Sequence, residues 1–178
     1  QLDPHFWLDP RRTKQAVRNV RDGFVAVDPD GEDGYAERAS AYLQTLDDLH
    51  GEFEAALHDA DRDAVLVAGH NAFGYLGSTY GFDVHALTGI SPDEGISAAA
   101  RREAEEIIQT HDIDHVLHPV LEPRAPAEQL VADTAASEVL DVTAISGVTD
   151  EWAEREVGYV ELMREVNLPA LRTALGGR

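Results

Sequence analysis

Ala64 to Phe82 reads AVLVAGHNAFGYLGSTYGF, and the fold follows from how this stretch changes its period. Ala64 to Ala68 is a short apolar run of β type. After Gly69 and His70, the residues Phe73, Leu76 and Tyr80 recur at helical spacing, and Gly81 is a stop signal. A strand that ends in Gly-His and turns into a helix places the imidazole at the carboxyl end of a sheet, where open α/β folds bind ligands. The positive end of the adjoining helix disfavours imidazolium and keeps the ring neutral, ready to coordinate a metal. A histidine that merely caps a helix is the other reading of the same residues.

Towards the carboxyl terminus, strand and helix alternate. Asp83 to Leu87 is a second short strand running into the loop TGISPDEG, and Ser97 caps a helix over Ala98 to Thr110 with Ala100, Ala104, Ile107 and Ile108 inward. His115 to Leu121 is a third strand, Ala125 to Ser137 a helix, Val142 to Ile145 a fourth strand, and Asp150 to Leu175 a helical region that Pro169 kinks or interrupts. Strands separated by helices predict an α/β fold, a parallel sheet with helices on both faces.

Towards the amino terminus lies the longest periodic segment. From Asp33 to Leu57, the residues Tyr35, Ala39, Tyr42, Leu46, Leu49, Phe53 and Leu57 step by three or four. A helix of that length makes a rod of roughly 37 Å, longer than a mean globular helix, and reads as a spine between lobes. A partner-binding coiled coil would need more heptads. Before it, Asp9-Pro10 is an N-cap followed by proline at the first helical position, and the helix runs through Val17, Val20, Phe24 and Val27 to DPDGEDG. His5, in DPHFWLDP, therefore sits in the loop ahead of that helix beside two bulky aromatics. It reads either as a metal ligand in a hydrophobic collar or as an ordinary loop histidine.

The chain holds 34 acidic residues against 14 basic ones, for a net charge of -20, and Lys14 is its only lysine. The acidic excess is dispersed, so nucleic acid and anionic lipid surfaces are repelled as partners. A dispersed acidic surface almost free of lysine predicts a halophilic setting, where salt screens the self-repulsion. There is no cysteine, which excludes disulfides, thiolate nucleophiles and thiolate metal sites. No run reaches transmembrane length. The abrupt start at QLDPHFWLDP reads as a piece of a longer protein rather than a natural beginning.

Among the remaining histidines, His118 shares a strand face with Glu122 by alternation and could approach the cleft as a supporting donor, although an ordinary strand histidine is the favoured reading. His111 and His115 flank a helix-to-strand turn at the other end of the sheet and are expected to be solvated, while His50, His58 and His85 are expected to be structural. A metal-dependent hydrolase with His5, His70 and Glu122 as ligands and Asp9 as base is a rival reading. It has no H-E-x-x-H, no nucleophile elbow and no phosphate-cradling loop to support it. A pure interaction module built on the spine helix is a third class.

Six stretches then coincide, in order, with one family: DPHFWLDP, DPDGEDGYAERASAYLQTLDDL, GHNAFGYLGSTYGF, GISPDEGIS, VLHPVLEP and GYVELMREVNLPALRTAL. Over essentially its whole length the chain resembles the carboxyl-terminal half of the zinc- or manganese-binding solute receptors of ABC importers. The resemblance implies two lobes bridged by one long helix, with the ion in the cleft between them. It divides the chain into a first-lobe remnant (residues 1–32), a linking helix (33–59) and an α/β lobe (60–178). It implies metal ligation by His5 and His70, with a further histidine from a first lobe that this sequence lacks. Glu122 matches a position that is a ligand in manganese-type relatives and lines the site in zinc-type ones. Where the family has an aspartate near the last strand, this chain has Ile145-Ser146-Gly147, so Ser146 or the nearby Asp150 stands in question as a substitute.

The implied function is capture rather than catalysis. An extracytoplasmic receptor, lipid-anchored or secreted, closes around Zn2+, or Mn2+ as the alternative, and delivers it to the ABC permease. Two imidazoles without a certain carboxylate favour zinc. The site is expected to be incomplete in this chain, so that binding by it alone is weak. Affinity is expected to fall as pH drops through the histidine range, because protonation removes the donor lone pair. Exposed apolar surfaces make a dimer of the chain a further expectation.

Overall fold

The computed structural model describes residues 2–91 and 95–177. Residues 92–94, in the middle of the GISPDEGIS stretch, lie outside the described residues. A 3₁₀ turn at Phe6–Leu8 leads into helix α1 (Pro10–Val27), and a second helix, α2 (Glu32–Leu57), follows a short turn. Then come β1 (Ala64–His70), α3 (Gly74–Tyr80), β2 (Asp83–Thr88), α4 (Ala98–Thr110), β3 (His115–Pro119), α5 (Ala125–Asp133) and β4 (Glu138–Val142). The chain ends in α6 (Asp150–Glu154), α7 (Tyr159–Leu162), a π-helical turn at Met163–Asn167, and α8 (Leu168–Ala174).

The caps read from the sequence are in place. The Asp9 side chain accepts from the Arg11 N–H with Pro10 behind it, and Ser97 accepts from the Ala100 N–H. Gly81 ends α3 with φ of 83°, a left-handed conformation that costs glycine little. Towards the end of the chain, Pro169 cannot donate to the helix ladder, and the π-helical turn lies just ahead of it.

The four strands are all parallel in the order β2-β1-β3-β4. Every residue of β1 is buried, as a central strand covered on both faces must be. Val65 and Val67 face one layer with Leu46, Leu49 and Phe53 of α2, Leu76 of α3 and Leu171 of α8. Leu66 and Ala68 face the opposite layer, with Ala104 and Ile108 of α4 and Ala127 and Leu130 of α5. Fully burying side chains such as Leu46 or Phe53 stabilises the fold by about 1.5–3 kcal/mol each.

The fourth strand lies earlier than the sequence reading placed it, over Glu138–Val142 rather than Val142–Ile145. Its register against β3 runs from His115↔Glu138 to Pro119↔Val142. As an edge strand it tolerates the exposed Glu138 and Asp141, which hid the period from a search for apolar runs. The expected last helix is also broken, at Arg155–Gly158, where Glu156 adopts φ of 52°. The third strand stops at Pro119 rather than Leu121, which leaves Val120 to Glu122 as a turn.

The spine helix is two things along its length. In its second half, Leu46, Leu49, Phe53 and Leu57 are buried in the core under the sheet. In its first half it packs on α1, and Val20, Phe24, Val27 and Tyr42 of this hairpin remain exposed.

Candidate metal centre

From β1 the chain moves outward to β2 and then crosses to β3 on the other side. The strand order therefore switches direction between β1 and β3, and the crevice at their carboxyl ends is where such sheets bind ligands. His70 is the last residue of β1 and Glu122 follows β3 by three residues. The pairing of β1 with β2 shifts register between Val67 and His70, a local irregularity of the kind found beside functional sites.

The Glu122 carboxylate meets His70 twice. Its Oε1 lies 2.5 Å from His70 Nδ1, and its Oε2 accepts from the His70 backbone N–H at 3.2 Å. Gly69 makes this approach possible, since a Cβ there would sit 2.6 Å from Glu122 Oε2 and 2.8 Å from Pro119 Cγ. His118 braces the turn from behind, with Nε2 3.0 Å from the Glu122 carbonyl oxygen and Nδ1 3.0 Å from Asp141. Arg124 completes that brace through an ion pair to Asp141. Both His118 nitrogens are thus engaged, and His118 supports the Glu122 turn.

His5 comes to the same place from the other end of the sequence. It is buried, its Nδ1 lies 2.7 Å from Asp3 Oδ1, and its ring centroid is 5.1 Å from that of His70. Trp7 fixes the loop by donating its indole N–H to the Ala144 carbonyl at 2.8 Å, and stands edge-on to His5 at 5.3 Å. The Tyr159 hydroxyl donates to the Trp7 carbonyl at 2.7 Å, and that of Tyr75 to the Asp3 carbonyl at 3.1 Å. Burial pushes the Tyr159 phenol well above its usual range. Further along, the Thr79 hydroxyl donates to Asp9 Oδ2 at 2.8 Å, tying the start of α1 to the end of α3.

The last wall is the loop after β4. A cavity of about 180 Å³ opens beside His70 and Glu122 and is lined by Pro119, Thr143, Ala144 and Ser146 as well. Asn167 holds this loop with both ends of its buried amide, accepting from the Thr143 N–H at 2.8 Å and donating to the Thr143 carbonyl at 2.9 Å. Within it, Ile145 adopts φ of 53°, a conformation that costs a β-branched residue about 1–3 kcal/mol and that the surrounding bonds enforce. Ser146 therefore faces the crevice, whereas Asp150 begins α6 and is not among the residues lining it.

Each imidazole of the pair has Nδ1 beside a carboxylate, which fixes the neutral tautomer and leaves Nε2 as the free donor. Two imidazoles sharing one tetrahedral ion at about 2.0–2.1 Å per bond have ring centroids about 5 Å apart. The His5–His70 separation fits that requirement. Among the described residues, no group of three His, Cys, Asp or Glu side chains forms a metal-holding cluster.

Sequence reasoning missed Asp3, Tyr159 and Asn167. Asp3 had a local signal, an acid two residues before the candidate ligand. The other two act across more than twenty residues of separation and leave no trace in spacing.

An open parallel α/β sheet with two buried imidazoles at its switch point is the class of fold in which a receptor can hold a ligand. The profile of the family described as ZnuA, zinc-uptake complex component A, periplasmic, matches residues 1–174, and the chain belongs to that family. The family consists of periplasmic metal-binding receptors rather than enzymes. The chain is 30% identical over 178 residues to the high-affinity zinc uptake system protein ZnuA of Bacillus subtilis strain 168, covering 98% of this chain and 54% of that protein. It is also similar to the Zn(II)-bound ZnuA-like domain of Streptococcus pneumoniae AdcA, with a TM-score of 0.82 and 28% identity over 98% of this chain and 64% of that one. The periplasmic zinc-binding protein TroA of Treponema pallidum shares the fold, with a TM-score of 0.85 at 23% identity over 99% of this chain and 64% of that one. The chain spans about half the length of the Bacillus relative.

Proposed function

We propose that this chain is the metal-capturing half of an extracytoplasmic zinc receptor that serves an ABC importer. The observation that carries the reading is the meeting of His5 and His70, 65 positions apart in sequence, with buried rings 5.1 Å apart and Nδ1 of each beside a carboxylate. On this reading Nε2 of both rings takes the ion as cargo. Glu122, assigned as a ligand from sequence, acts by holding His70, because its carboxylate is spent on the Nδ1 and backbone N–H of that residue. Imidazole donors without a free carboxylate suit zinc better than manganese.

The names of the relatives support zinc as cargo and a periplasmic or lipoprotein setting. The interlobe cleft, the division at residues 32 and 59, and hand-over to a permease are the finer parts of the same proposal. The remaining ligands would come from beyond this chain, and Ser146 lines the cavity where a carboxylate would complete the set. A zinc competition titration tests the reading. Weak binding is expected at the crevice, and either His5→Ala or His70→Ala should remove that binding; sub-micromolar affinity that survives both substitutions would refute it.

Two lesser proposals attach to the surface. The exposed apolar face of α1 and α2, around Val20, Phe24 and Tyr42, is where two copies of this chain would pair. The charge of -20 is read as salt adaptation; a melting temperature that does not climb between low and molar KCl would argue against it.

A further inference from the structure

At the opposite end of the sheet a second pair of imidazoles meets. His85, the third residue of β2, and His111, which caps the carboxyl end of α4, have ring centroids 5.1 Å apart and planes tilted by 43°. This is the separation found between His5 and His70. The two residues lie on the sheet face covered by α4, since His85 pairs with Leu66, whose side chain belongs to that layer.

Three observations give this pair donor chemistry. His85 Nε2 is buried with no hydrogen-bond partner, and a buried polar nitrogen left unpaired costs about 1–3 kcal/mol. On the other ring, His111 Nδ1 faces Asp63 Oδ1 at 3.5 Å, an electrostatic contact rather than a hydrogen bond, which favours a proton on Nδ1 and a lone pair on Nε2. Finally, His111, though not His85, borders a cavity of about 560 Å³ that Asp61, Asp63 and Asp112 also line, and with Arg62 the one arginine among the lining residues the approach is acidic on balance and attracts cations.

We infer that His85 and His111 form a second transition-metal site, for an imidazole-seeking divalent ion such as Zn2+ or Cu2+, distinct from the crevice site. Two protein nitrogens hold the ion and water fills the open positions. Asp63, exposed at the mouth and 3.5 Å from His111 Nδ1, steers the ion towards the pair. With two ligands and partial exposure, the site binds more weakly than one completed by four protein donors, and by the general affinity order it prefers Cu2+ to Zn2+ and Zn2+ to Mn2+. It is a site that loads when the ion is abundant.

The test removes the first site so that the two cannot be confused. In the His5→Ala/His70→Ala double variant, equilibrium dialysis against Zn2+ and against Cu2+ should still show one bound equivalent, with Cu2+ the tighter. Adding His111→Gln, at a helix end where it leaves the core untouched, should weaken that binding at least tenfold, and His85→Gln should do the same. In the same double variant, sub-stoichiometric Cu2+ should broaden the ring resonances of His85 and His111 together. No uptake by the double variant, or uptake indifferent to both glutamine substitutions, overturns the inference. So does broadening confined to His58 or His115, even if a variant misfolds.

Discussion

The two ends of the sheet hold the same pair of rings at the same distance, and differ in everything around them. At the carboxyl end His5 and His70 are 5% and 4% exposed, each Nδ1 is within 2.7 Å of a carboxylate, and Trp7, Glu122 and Asn167 hold the loops that carry them. At the amino end His111 has 27% of its side chain exposed, its carboxylate stands off at 3.5 Å, and His85 has an unpaired nitrogen. Equal ring separation therefore does not imply equal affinity. On the proposed reading, the supporting partners at the carboxyl end fix tautomer and orientation before the ion arrives, and burial excludes water from the donors.

The largest effect belongs to the proposed crevice ligands. His70→Ala should reduce zinc affinity at the crevice by about two orders of magnitude or more and leave the amino-end pair untouched, read by competition titration with resonances of His85 and His111 as the internal control. Equal losses at both ends would mean that the substitution unfolds the sheet.

Next in size is Glu122→Gln, which keeps the shape but removes the charge that holds His70 Nδ1. Such supporting partners are worth about 10–100-fold in metal affinity, so a titration showing less than a threefold change would assign the difference between the two ends to burial alone. Gly69→Ala should mimic this loss, since its methyl group would displace the same carboxylate.

The smallest effect concerns stability at high pH. Burial raises the Tyr159 phenol above its ordinary range, so above about pH 10 the unfolded chain releases this proton while the folded chain keeps it. The folded state therefore loses stability as pH rises from there, and the contribution is fully present below it. In Tyr159→Phe that alkaline loss should flatten, while stability at neutral pH drops by about 1 kcal/mol with the lost bond to Trp7. Urea melts at pH 7 and pH 10.5 separate the two. An alkaline slope identical to that of the unaltered chain would assign it to other groups, Tyr80 first among them, whose phenol burial also raises.

Much of the architecture was legible because it rests on local signals. The caps at Asp9 and Ser97, the period of α2 and the apolar run of β1 are decided within a turn or two of chain. The clearest exception was β4, where an exposed edge strand carries Asp141 at an outward position and alternation is diluted, beside the early end of β3 and the break in the last helix. His5 and His70 stood out by motif. Their encounter did not, because nothing local specifies a contact between residues 65 apart. His85 was read as structural and His115 as solvated, yet each keeps a buried ring nitrogen without a partner. His111, also expected in solvent, has only about a quarter of its side chain exposed.

The sequence by itself determined the parallel α/β class, the long helix, the acidic surface and the absence of thiol chemistry, since periodicity and composition are properties of short windows and of sums. Only the tertiary structure decided which carboxylate serves which imidazole, that Glu122 faces Nδ1 of His70 while His118 braces the turn behind it, and that two rings meet again beneath the sheet. Those choices depend on the strand order β2-β1-β3-β4, which sets side by side residues that the chain keeps far apart.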